Sequence, residues 1–425
     1  MFNGGHGKQA NRSQKTRAGL AAGLDVGTSK ICCFIAKVDD GRHPRVVGVG
    51  HHASEGLKSG IVVDMDAAEF AILNAVHAAE QMAGETIRSV VVNLTGGRLA
   101  SHIVGVEVPI SGHEIGDSDL RRVLDQSLSH NHVAERDVIH SIPVGFTIDG
   151  DRGIRDPRGM FGGRLGVRMH MITAASGAVR TLKTVVERCH LDIDSFVVSP
   201  YAAGLSCLVE DEMDLGVTLV DMGAGSTGIT VFYDGAAVFV DAIPVGGGYV
   251  TSDIARGLST PIAHAERLKT LYGSAIATTQ DEEETVDAPQ VGEDKSETPN
   301  HVSKALLNGI IQPRVEEIFE LVRARLEDSA AERLAGRRVV LAGGACQLQG
   351  VRELAALVLD KQVRMGRPLR LRGLAESMAG PAFATCAGLI AFAVDNPTAG
   401  ASAPVIKGEP FGLPGRIGQW LREHI

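Results

Sequence analysis

The sequence predicts an α/β protein of two related halves, each a mixed β-sheet with flanking helices, with an inserted small α/β subdomain and a C-terminal amphipathic helix. Three observations predict this fold class. Strand-like segments alternate with amphipathic helices and end in glycine turns. The motif strand-Asp-x-Gly followed by Ser or Thr occurs at 23–30 (GLDVGTSK) and again at 220–230 (VDMGAGSTGIT), which indicates an internal duplication. The 425 residues, 44% of them hydrophobic, are enough for two globular cores.

The predicted elements follow one another along most of the chain. Strands are expected at 21–26, 31–38, 46–51, 89–94, 99–110, 138–148, 167–174, 194–198, 217–221, 228–233, 236–243 and 338–341, and helices at 65–83, 118–129, 177–190, 200–211, 302–328, 351–360 and 382–394. Residues 150–166, rich in Gly and Arg, are expected to form a loop.

The predicted helix at 65–83 has a candidate N-terminal cap and an amphipathic pattern. Asp64 or Asp66 would cap its N-terminus, because an aspartate side chain can accept hydrogen bonds from the first free amides of a helix. The spacing of the larger side chains predicts the buried face. That predicted face comprises Phe70, Leu73, Val76, His77 and Ala79.

The elements group into segments that we expect to be subdomains. They are a disordered basic tail at 1–19; a large subdomain of the first half at 20–86, 173–214 and 379–395; the insert at 87–172; a large subdomain of the second half at 215–259 and 335–378; an outer subdomain at 260–334 with a mobile acidic loop at 280–299; a linker at 396–412; and the terminal helix at 413–425.

Composition and charge exclude several classes of protein. The formal net charge of -9 argues against a protein that wraps nucleic acid, so we expect no nucleic-acid partner. No run of about eighteen apolar residues occurs and the N-terminus is polar, so we expect neither a membrane-spanning helix nor export. The six cysteines form no Cys-x-x-Cys pair, which predicts reduced, buried thiols.

The first glycine motif is a candidate phosphate-binding hairpin. Backbone amides and hydroxyls in such a turn can contact phosphate oxygens, and Asp25 at the strand end can hold Mg²⁺ through water. The candidate ligand-binding residues of this turn are Gly27, Thr28, Ser29 and Lys30. Ordinary turn chemistry is the alternative for a single motif of this kind.

The second copy and a third motif strengthen the interpretation. Asp221 repeats the carboxylate, and the turn after it offers Gly223, Ala224, Gly225, Ser226 and Thr227. A buried strand then runs into the turn Gly343, Gly344 and Ala345, where the backbone can lie close to an adenine or a ribose. Two matching hairpins followed by this turn predict a nucleotide held between the halves.

This ordered set of motifs resembles the superfamily of actin, heat-shock chaperones and sugar kinases, and most closely the FtsA family of bacterial cell division. The similarity runs from about Gly23 to Phe392 and includes VVGVGHHASEGLKSGIVVDMD, IRDPRGMFGGRLGVRMHMIT, GGGYVTSDIARGL and IIQPRVEEIFELV. The resemblance implies an actin-like fold and binding of ATP with Mg²⁺. It also implies that Gly247 and Gly248 lie near the nucleotide.

Two further sets of residues take their roles only from the resemblance. Glu266 and Lys269 would contact the ribose and cover the base, whereas without the family they are equally well a solvated helix pair. Arg314 and Glu317 would belong to a surface that binds the C-terminal tail of FtsZ. Chaperone-like relatives carry a carboxylate before the Pro-x-Ala-Ala helix, but this chain has Ser199, so we expect weak or no ATPase activity.

The C-terminus predicts a contact with an anionic membrane surface. Residues 413–425 follow a Pro/Gly-containing linker. On a helical wheel they form one apolar face that is flanked by basic residues. The residues expected at the lipid interface are Ile417, Trp420, Leu421 and Ile425, with Arg416 and Arg422. A terminal helix docked on its own domain is the alternative. A helix this short binds weakly, so attachment would need several copies on one filament.

The resemblance implies an actin-like protein that polymerises, anchors FtsZ at the cytoplasmic face of the inner membrane at the division septum, and recruits later division proteins. A small-molecule kinase of the same superfamily would instead need a catalytic carboxylate facing a sugar-sized pocket. A pilus-assembly relative would share the nucleotide motifs but usually lacks the terminal helix.

Overall fold

The computed structural model describes residues 19–38, 44–129, 135–292, 300–329 and 331–396. Nearly all of the predicted basic tail and of the linker, and all of the predicted terminal helix, lie outside these residues. In the part of the chain that is described, no helix has both the length and the apolar character needed to cross a membrane.

The first half and the insert form the N-terminal part of the fold. Its elements are β1 (Leu20–Val26), β2 (Lys30–Val38), β3 (Pro44–Ala53), β4 (Leu57–Lys58), β5 (Ile61–Val62), α1 (Met65–Ala83) and β6 (Ser89–Leu94). The insert contributes β7 (Ala100–Pro109), α2 (Asp117–Ser129), β8 (Arg136–Ile148), β9 (Asp151–Ile154) and β10 (Arg164–Ala175). The chain returns to the first half with α3 (Ser176–Arg188), β11 (Asp192–Val198), α4 (Ser199–Cys207) and α5 (Glu210–Leu215).

The second half follows, and the last helix returns to the first. The elements are β12 (Val217–Met222), β13 (Thr227–Tyr233), β14 (Ala236–Ile243), α6 (Gly247–Gly257), α7 (Ile262–Tyr272), β15 (Thr285–Asp287), β16 (His301–Ser303), α8 (Lys304–Glu327), β17 (Arg338–Ala342), α9 (Val351–Leu359), β18 (Gln362–Met365) and α10 (Ala384–Asp395). Helix α10 packs on α4 and on β1.

The two halves have the same sheet topology. The first sheet has the order β3-β2-β1-β6-β11 and the second has the order β14-β13-β12-β17-β18. In each sheet the first three strands form an antiparallel meander, the third strand pairs in parallel with the fourth, and the fourth pairs in parallel with the fifth. The predicted duplication is therefore confirmed.

Helix α1 lies unusually close to the first sheet. A Cβ placed on Gly48 would come within 2.3 Å of the Ala79 carbonyl oxygen, and one placed on Gly50 would come within 1.9 Å of the Ala75 carbonyl oxygen. Only glycine on the strand permits this approach, because any side chain there would push the helix away.

This close approach overturns part of the predicted helix face. Phe70 is 62% exposed and Leu73 is 42% exposed, and His77 is also exposed, whereas Val76 is buried as expected. Ala79 is also buried as expected, and the rest of the buried face consists of small residues and one isoleucine: Ala68, Ala71, Ile72 and Ala75. The cap is Asp64, whose side chain accepts hydrogen bonds from the amides of residues 66 and 67.

Three further boundaries differ from the expectation. The predicted loop at 150–166 contains β9, because this segment pairs with β8 as a hairpin, and it also contains the start of β10. The predicted helix at 200–211 is interrupted at Leu208, which has extended backbone angles. The acidic segment expected to be a mobile loop contains β15, because buried Val286 pairs with Val302.

The insert is a separate layer that contacts both halves. Its sheet has the strand order β7-β10-β8-β9, and α2 packs on one face of this sheet. Strand β7 lies against β14 of the second half, where the Ser101 hydroxyl donates to the Val240 carbonyl at 2.7 Å. Strand β8 reaches the core of the first half, because Ile142 belongs to that core. The insert therefore bridges the two halves.

Candidate nucleotide cleft

The two glycine motifs form hairpins with the same backbone geometry. Each spans a four-residue turn closed by a hydrogen bond, from the Gly27 amide to the Lys30 carbonyl at 3.1 Å and from the Gly223 amide to the Ser226 carbonyl at 2.9 Å. The carboxylates also hold equivalent positions, since each aspartate is paired with the residue seven positions later in the chain. The sequence repeat is thus a repeat of backbone structure.

The hairpins face each other across the junction of the halves. A Cβ placed on Gly225 would lie 2.5 Å from the Thr28 hydroxyl oxygen and 2.8 Å from the Ser59 Cα. The Gly60 amide donates to the Thr28 hydroxyl at 3.0 Å, and the Ser59 and Tyr249 hydroxyls lie 3.4 Å apart. The structure therefore brings Thr28 and Gly225 together, with the 59–60 backbone beside them.

The two predicted metal-binding carboxylates lie in the same cleft. Burial raises the pKa of Asp25 to about 7; the charge of Lys30 opposes this shift and the charge of Asp221 adds to it. Burial raises the pKa of Asp221 to about 6, and a hydrogen bond from Thr385 opposes this shift. The carboxylates are close enough to influence each other, so a cation bound between them would relieve their repulsion.

A polar network that the sequence motifs did not reveal surrounds Asp25. The Asn93 side chain donates to Asp25 Oδ1 at 2.7 Å and to the Ser199 hydroxyl oxygen at 3.1 Å, and it accepts from the Val26 amide at 2.6 Å. The Thr95 hydroxyl lies against the Ser199 hydroxyl. The sequence signal for Asn93 is a polar residue that follows three valines within strand β6.

Asp221 has different neighbours. The Thr385 hydroxyl, at the start of α10, donates to Asp221 Oδ2 at 3.1 Å. Gly343 adopts φ +85°, and a Cβ there would come within 2.3 Å of the Met222 carbonyl oxygen and 2.7 Å of Asp221 Oδ1. Gly343 is therefore required for close packing, whereas a Cβ on Gly344 would meet no atom nearer than 3.9 Å.

The start of α6 packs directly on the second hairpin. The amides of Gly247 and Gly248 donate to the carbonyls of Gly223 and Ala224 at 2.9 and 2.8 Å. A Cβ on Gly247 would lie 2.6 Å from the Ala345 Cβ. The structure thus joins three of the predicted glycine segments at one end of the second sheet.

Glu266 and Lys269 form part of the same region. The Lys269 ammonium donates to Glu266 Oε2 at 2.7 Å, to the Thr251 hydroxyl at 2.8 Å and to the Gly247 carbonyl at 3.2 Å. Only 14% of the Lys269 side chain is exposed. The pair is therefore tied to the start of α6 and is not a freely solvated pair on the surface of α7.

Two other predicted residues make contacts within the fold, and a third is exposed. The Lys30 ammonium donates to the Ala382 carbonyl at 2.9 Å and lies 3.4 Å from the centre of the Phe383 ring. The buried Thr227 hydroxyl donates to the Val245 carbonyl at 2.8 Å. Ser29 is exposed at the tip of its turn.

Comparison with known protein families agrees with this architecture. A family model described as cell division protein FtsA matches residues 218–388, and a model described as the SHS2 domain inserted in FtsA matches residues 96–173. The cell division protein FtsA of Agrobacterium fabrum is 42% identical over 423 residues, which cover 96% of this chain and 95% of that protein. The FtsA of Escherichia coli K12 is 32% identical over 416 residues, which cover 96% and 98%. This chain belongs to the FtsA family.

Solved structures place this FtsA-family chain among actin-like folds. The PilM-PilN type IV pilus biogenesis complex has a chain with a TM-score of 0.62 and 18% identity, and the match covers 87% of this chain and 97% of that one. MreB5 of Spiroplasma citri bound to ADP matches with a TM-score of 0.53 and 13% identity, covering 87% and 95%. The predicted actin-like fold and the inserted subdomain are confirmed.

The residues assigned to a partner surface lie next to each other on α8. Arg314 Nε donates to Asp253 Oδ2 of α6 at 2.5 Å, and another nitrogen of its guanidinium donates to Glu317. About a quarter of the Arg314 side chain is exposed, at 27%. The predicted membrane-contacting residues, from Arg416 to Ile425, lie outside the described residues.

Proposed function

We propose that this FtsA-family chain binds ATP with Mg²⁺ between its two halves, polymerises on the cytoplasmic face of the inner membrane, and anchors the FtsZ ring there. The FtsZ C-terminal tail would bind the outer subdomain of the second half, and later division proteins would join at the septum. The observation that carries the nucleotide part of this proposal is the contact between the two matching hairpins at Thr28 and Gly225.

The residues at the cleft fit a nucleoside triphosphate. Glycine at each turn keeps the backbone free of side chains, which is what close approach to phosphate requires. The open space beside Gly344 would admit a ribose or a base next to the backbone. The residues that would hold the nucleotide are Gly27, Thr28, Ser29, Lys30, Gly223, Ala224, Gly225, Ser226, Thr227, Gly247, Gly248, Glu266, Lys269, Gly343, Gly344 and Ala345.

The paired carboxylates fit a hydrated magnesium ion. Among the described residues, no group of three or more His, Cys, Asp or Glu side chains could hold a metal by itself. Two carboxylates supplemented by water and phosphate oxygens are the arrangement that Mg²⁺ commonly adopts in nucleotide sites. Asp25 and Asp221 would hold the ion, and the ion would neutralise phosphate charge.

The environment of Ser199 supports slow hydrolysis. Its hydroxyl is held by Asn93 and Thr95, and neither residue is a base at neutral pH. Bound ATP would therefore act mainly as a ligand that selects a conformation and favours polymerisation.

The membrane and FtsZ parts of the proposal rest on the sequence and the family. Ile417, Trp420, Leu421 and Ile425 would enter the lipid interface, and Arg416 and Arg422 would contact anionic headgroups. For the FtsZ tail, Arg314 and Glu317 would present a mixed-charge surface on α8.

Co-sedimentation with anionic vesicles tests the whole proposal. The full chain, with ATP and Mg²⁺, is expected to pellet with vesicles and to bring a labelled FtsZ tail peptide with it. Trp420→Glu should abolish pelleting, because it places a charge on the apolar face predicted from the helical wheel, whereas Gln419→Glu adds the same charge on the opposite predicted face and should have little effect. Equal pelleting of both variants would contradict the membrane assignment. A chain without measurable ATP affinity in the presence of Mg²⁺ would contradict the nucleotide assignment.

A further inference from the structure

A buried histidine of the insert reaches into the core of the first half. His140 lies on β8 and is 8% exposed. Its ring packs edge-on against Tyr201 of α4, with the ring centres 5.1 Å apart, and against Phe392 of α10, with the centres 5.9 Å apart. The side chain therefore belongs to the insert by sequence and to the first half by contact.

The ring makes one directional contact with the first half. The Val198 amide donates to His140 Nε2 at 3.1 Å. Val198 immediately precedes α4, where the amides at a helix N-terminus have no partner within the helix. Because the amide donates, Nε2 carries no proton. Burial and the nearby His170 lower the pKa of His140 to about 3, so the ring is neutral near pH 7.

From Val198 the contacts continue to the cleft. The next residue, Ser199, is held by Asn93, and the same Asn93 side chain bonds both the Asp25 carboxylate and the Val26 amide. A shift of the α4 N-terminus would therefore move the hydroxyl that orients Asn93. The first glycine hairpin would lose part of its support, although it lies far from the insert in sequence.

We propose that His140 is a positioning residue for the nucleotide cleft: by accepting the Val198 amide it fixes the start of α4, and through Ser199 and Asn93 it holds the first hairpin in its binding geometry. The insert is thereby coupled to the cleft by hydrogen bonds in addition to packing. The expected effect on ATP affinity rests on the proposed nucleotide binding. The expected effect on hydrogen exchange at Val26 does not.

Two substitutions separate the hydrogen bond from simple filling of the core. His140→Phe keeps an aromatic ring against Tyr201 and Phe392 but removes the acceptor. His140→Gln can place its side-chain oxygen near the position of Nε2 and so restores an acceptor. Ile142→Ala, on the same strand and also buried in the first-half core, is the matched control that removes packing but keeps the acceptor of the Val198 amide.

Hydrogen exchange measured by mass spectrometry on the full-length chain is the first test. Exchange of a peptide that contains Val26 should be at least fivefold faster in His140→Phe than in the wild type, close to wild type in His140→Gln, and unchanged in Ile142→Ala. Faster exchange restricted to the Val198 peptide would overturn the proposal, as would equal acceleration in Ile142→Ala.

Titration with ATP and Mg²⁺ is the second test. His140→Phe should weaken binding about tenfold, while His140→Gln stays within threefold of the wild type. If His140→Phe binds as tightly as the wild type, the proposed coupling is wrong. If the wild type itself does not bind, the proposed function fails, and the exchange at Val26 still decides the role of His140.

Discussion

The two hairpins of the cleft have the same backbone but different surroundings. In the first half, Asp25 accepts a hydrogen bond from Asn93 of the neighbouring strand. In the second half, Asp221 accepts one from Thr385 of α10 and lies against the backbone of Gly343. Duplication thus retained the turn and the carboxylate, while the groups that orient each carboxylate come from different parts of the fold.

The difference indicates a division of tasks. The first turn carries the side chains of Thr28, Ser29 and Lys30, and its carboxylate belongs to a network of polar side chains. The second turn, 223–226, has two glycines and an alanine and packs on the backbone at the start of α6. The first half therefore contributes mainly side-chain chemistry, and the second half contributes mainly close backbone packing.

The largest expected difference between the hairpins is in the pH dependence of stability. The pKa values of Asp25 and Asp221, about 7 and about 6, lie above the ordinary aspartate value. The folded chain therefore retains protons that the unfolded chain has lost, and this contribution to the free energy of unfolding falls as the pH rises through that window. An asparagine does not titrate, so it lacks this pH-dependent loss. As the pH rises from 5 to 8 without Mg²⁺ or nucleotide, the free energy of unfolding of Asp25→Asn should therefore increase relative to that of the wild type by on the order of 3 kcal/mol, and that of Asp221→Asn by on the order of 1 kcal/mol.

Urea unfolding at pH 5, 6.5 and 8 measures these differences. The comparison with wild type at each pH is essential, because burial lowers the pKa of His140 to about 3 and of His170 to about 4. These histidines make stability rise with pH below the ordinary histidine pKa, which opposes the aspartates. Parallel pH curves for wild type and Asp25→Asn would show that Asp25 is ionised throughout.

The next largest effect tests the contact between the hairpins. Gly225→Ala places a methyl group against Thr28 and Ser59 of the opposite half, so the halves must separate. ATP affinity should fall about 50-fold, or roughly 2.3 kcal/mol. Gly309→Ala is the matched control, since Gly309 lies on α8 outside the cleft residues and its Cβ would meet no atom within 4 Å. Isothermal titration that gave equal losses for the two variants would argue against a cleft closed at Gly225.

A smaller effect tests the side-chain network of the first half. Asn93→Leu removes the donor to Asp25 and the acceptor of the Val26 amide, and should lower the free energy of unfolding by about 2 kcal/mol. Asn74→Leu is the control, because Asn74 is partly exposed on α1 and donates to the Phe70 carbonyl in a solvent-exposed hydrogen bond. Chemical denaturation should show that the control loses less than about 0.5 kcal/mol of its free energy of unfolding. If both variants lost the same free energy of unfolding, the hydrogen bonds of Asn93 would stabilise the fold no more than one exposed hydrogen bond does.

The smallest effect is expected at the second carboxylate. Thr385→Val keeps the side-chain shape but removes the donor to Asp221, and should cost about 1 kcal/mol of unfolding free energy at pH 8. The loss should shrink at pH 5, where the carboxyl group is protonated. Thr181→Val, at an exposed hydroxyl on α3 that donates to the Gly177 carbonyl, provides the comparison. A pH-independent cost would indicate lost packing instead of a lost hydrogen bond.

Some features of the cleft could be predicted from the sequence, and others could not. Gly27, Gly223 and the two aspartates were predictable because a strand that ends in a glycine turn is a local pattern, and its recurrence is visible in one chain. The face of α1 was only partly predictable. Phe70 is apolar and correctly spaced for burial, but Gly48 and Gly50 bring the helix so close to the sheet that small residues occupy the interface.

The sequence by itself determined the positions of the turns and the carboxylates, because each glycine motif is local, and it determined the duplication because the same local motif recurs in one chain. Only the tertiary structure decided which side chains orient them. Asn93 is 68 residues from Asp25, Thr385 is 164 residues from Asp221, and His140 is 58 residues from Val198. The energy of a buried hydrogen bond depends on distances of a few tenths of an ångström, and the packing of whole sheets and helices fixes those distances.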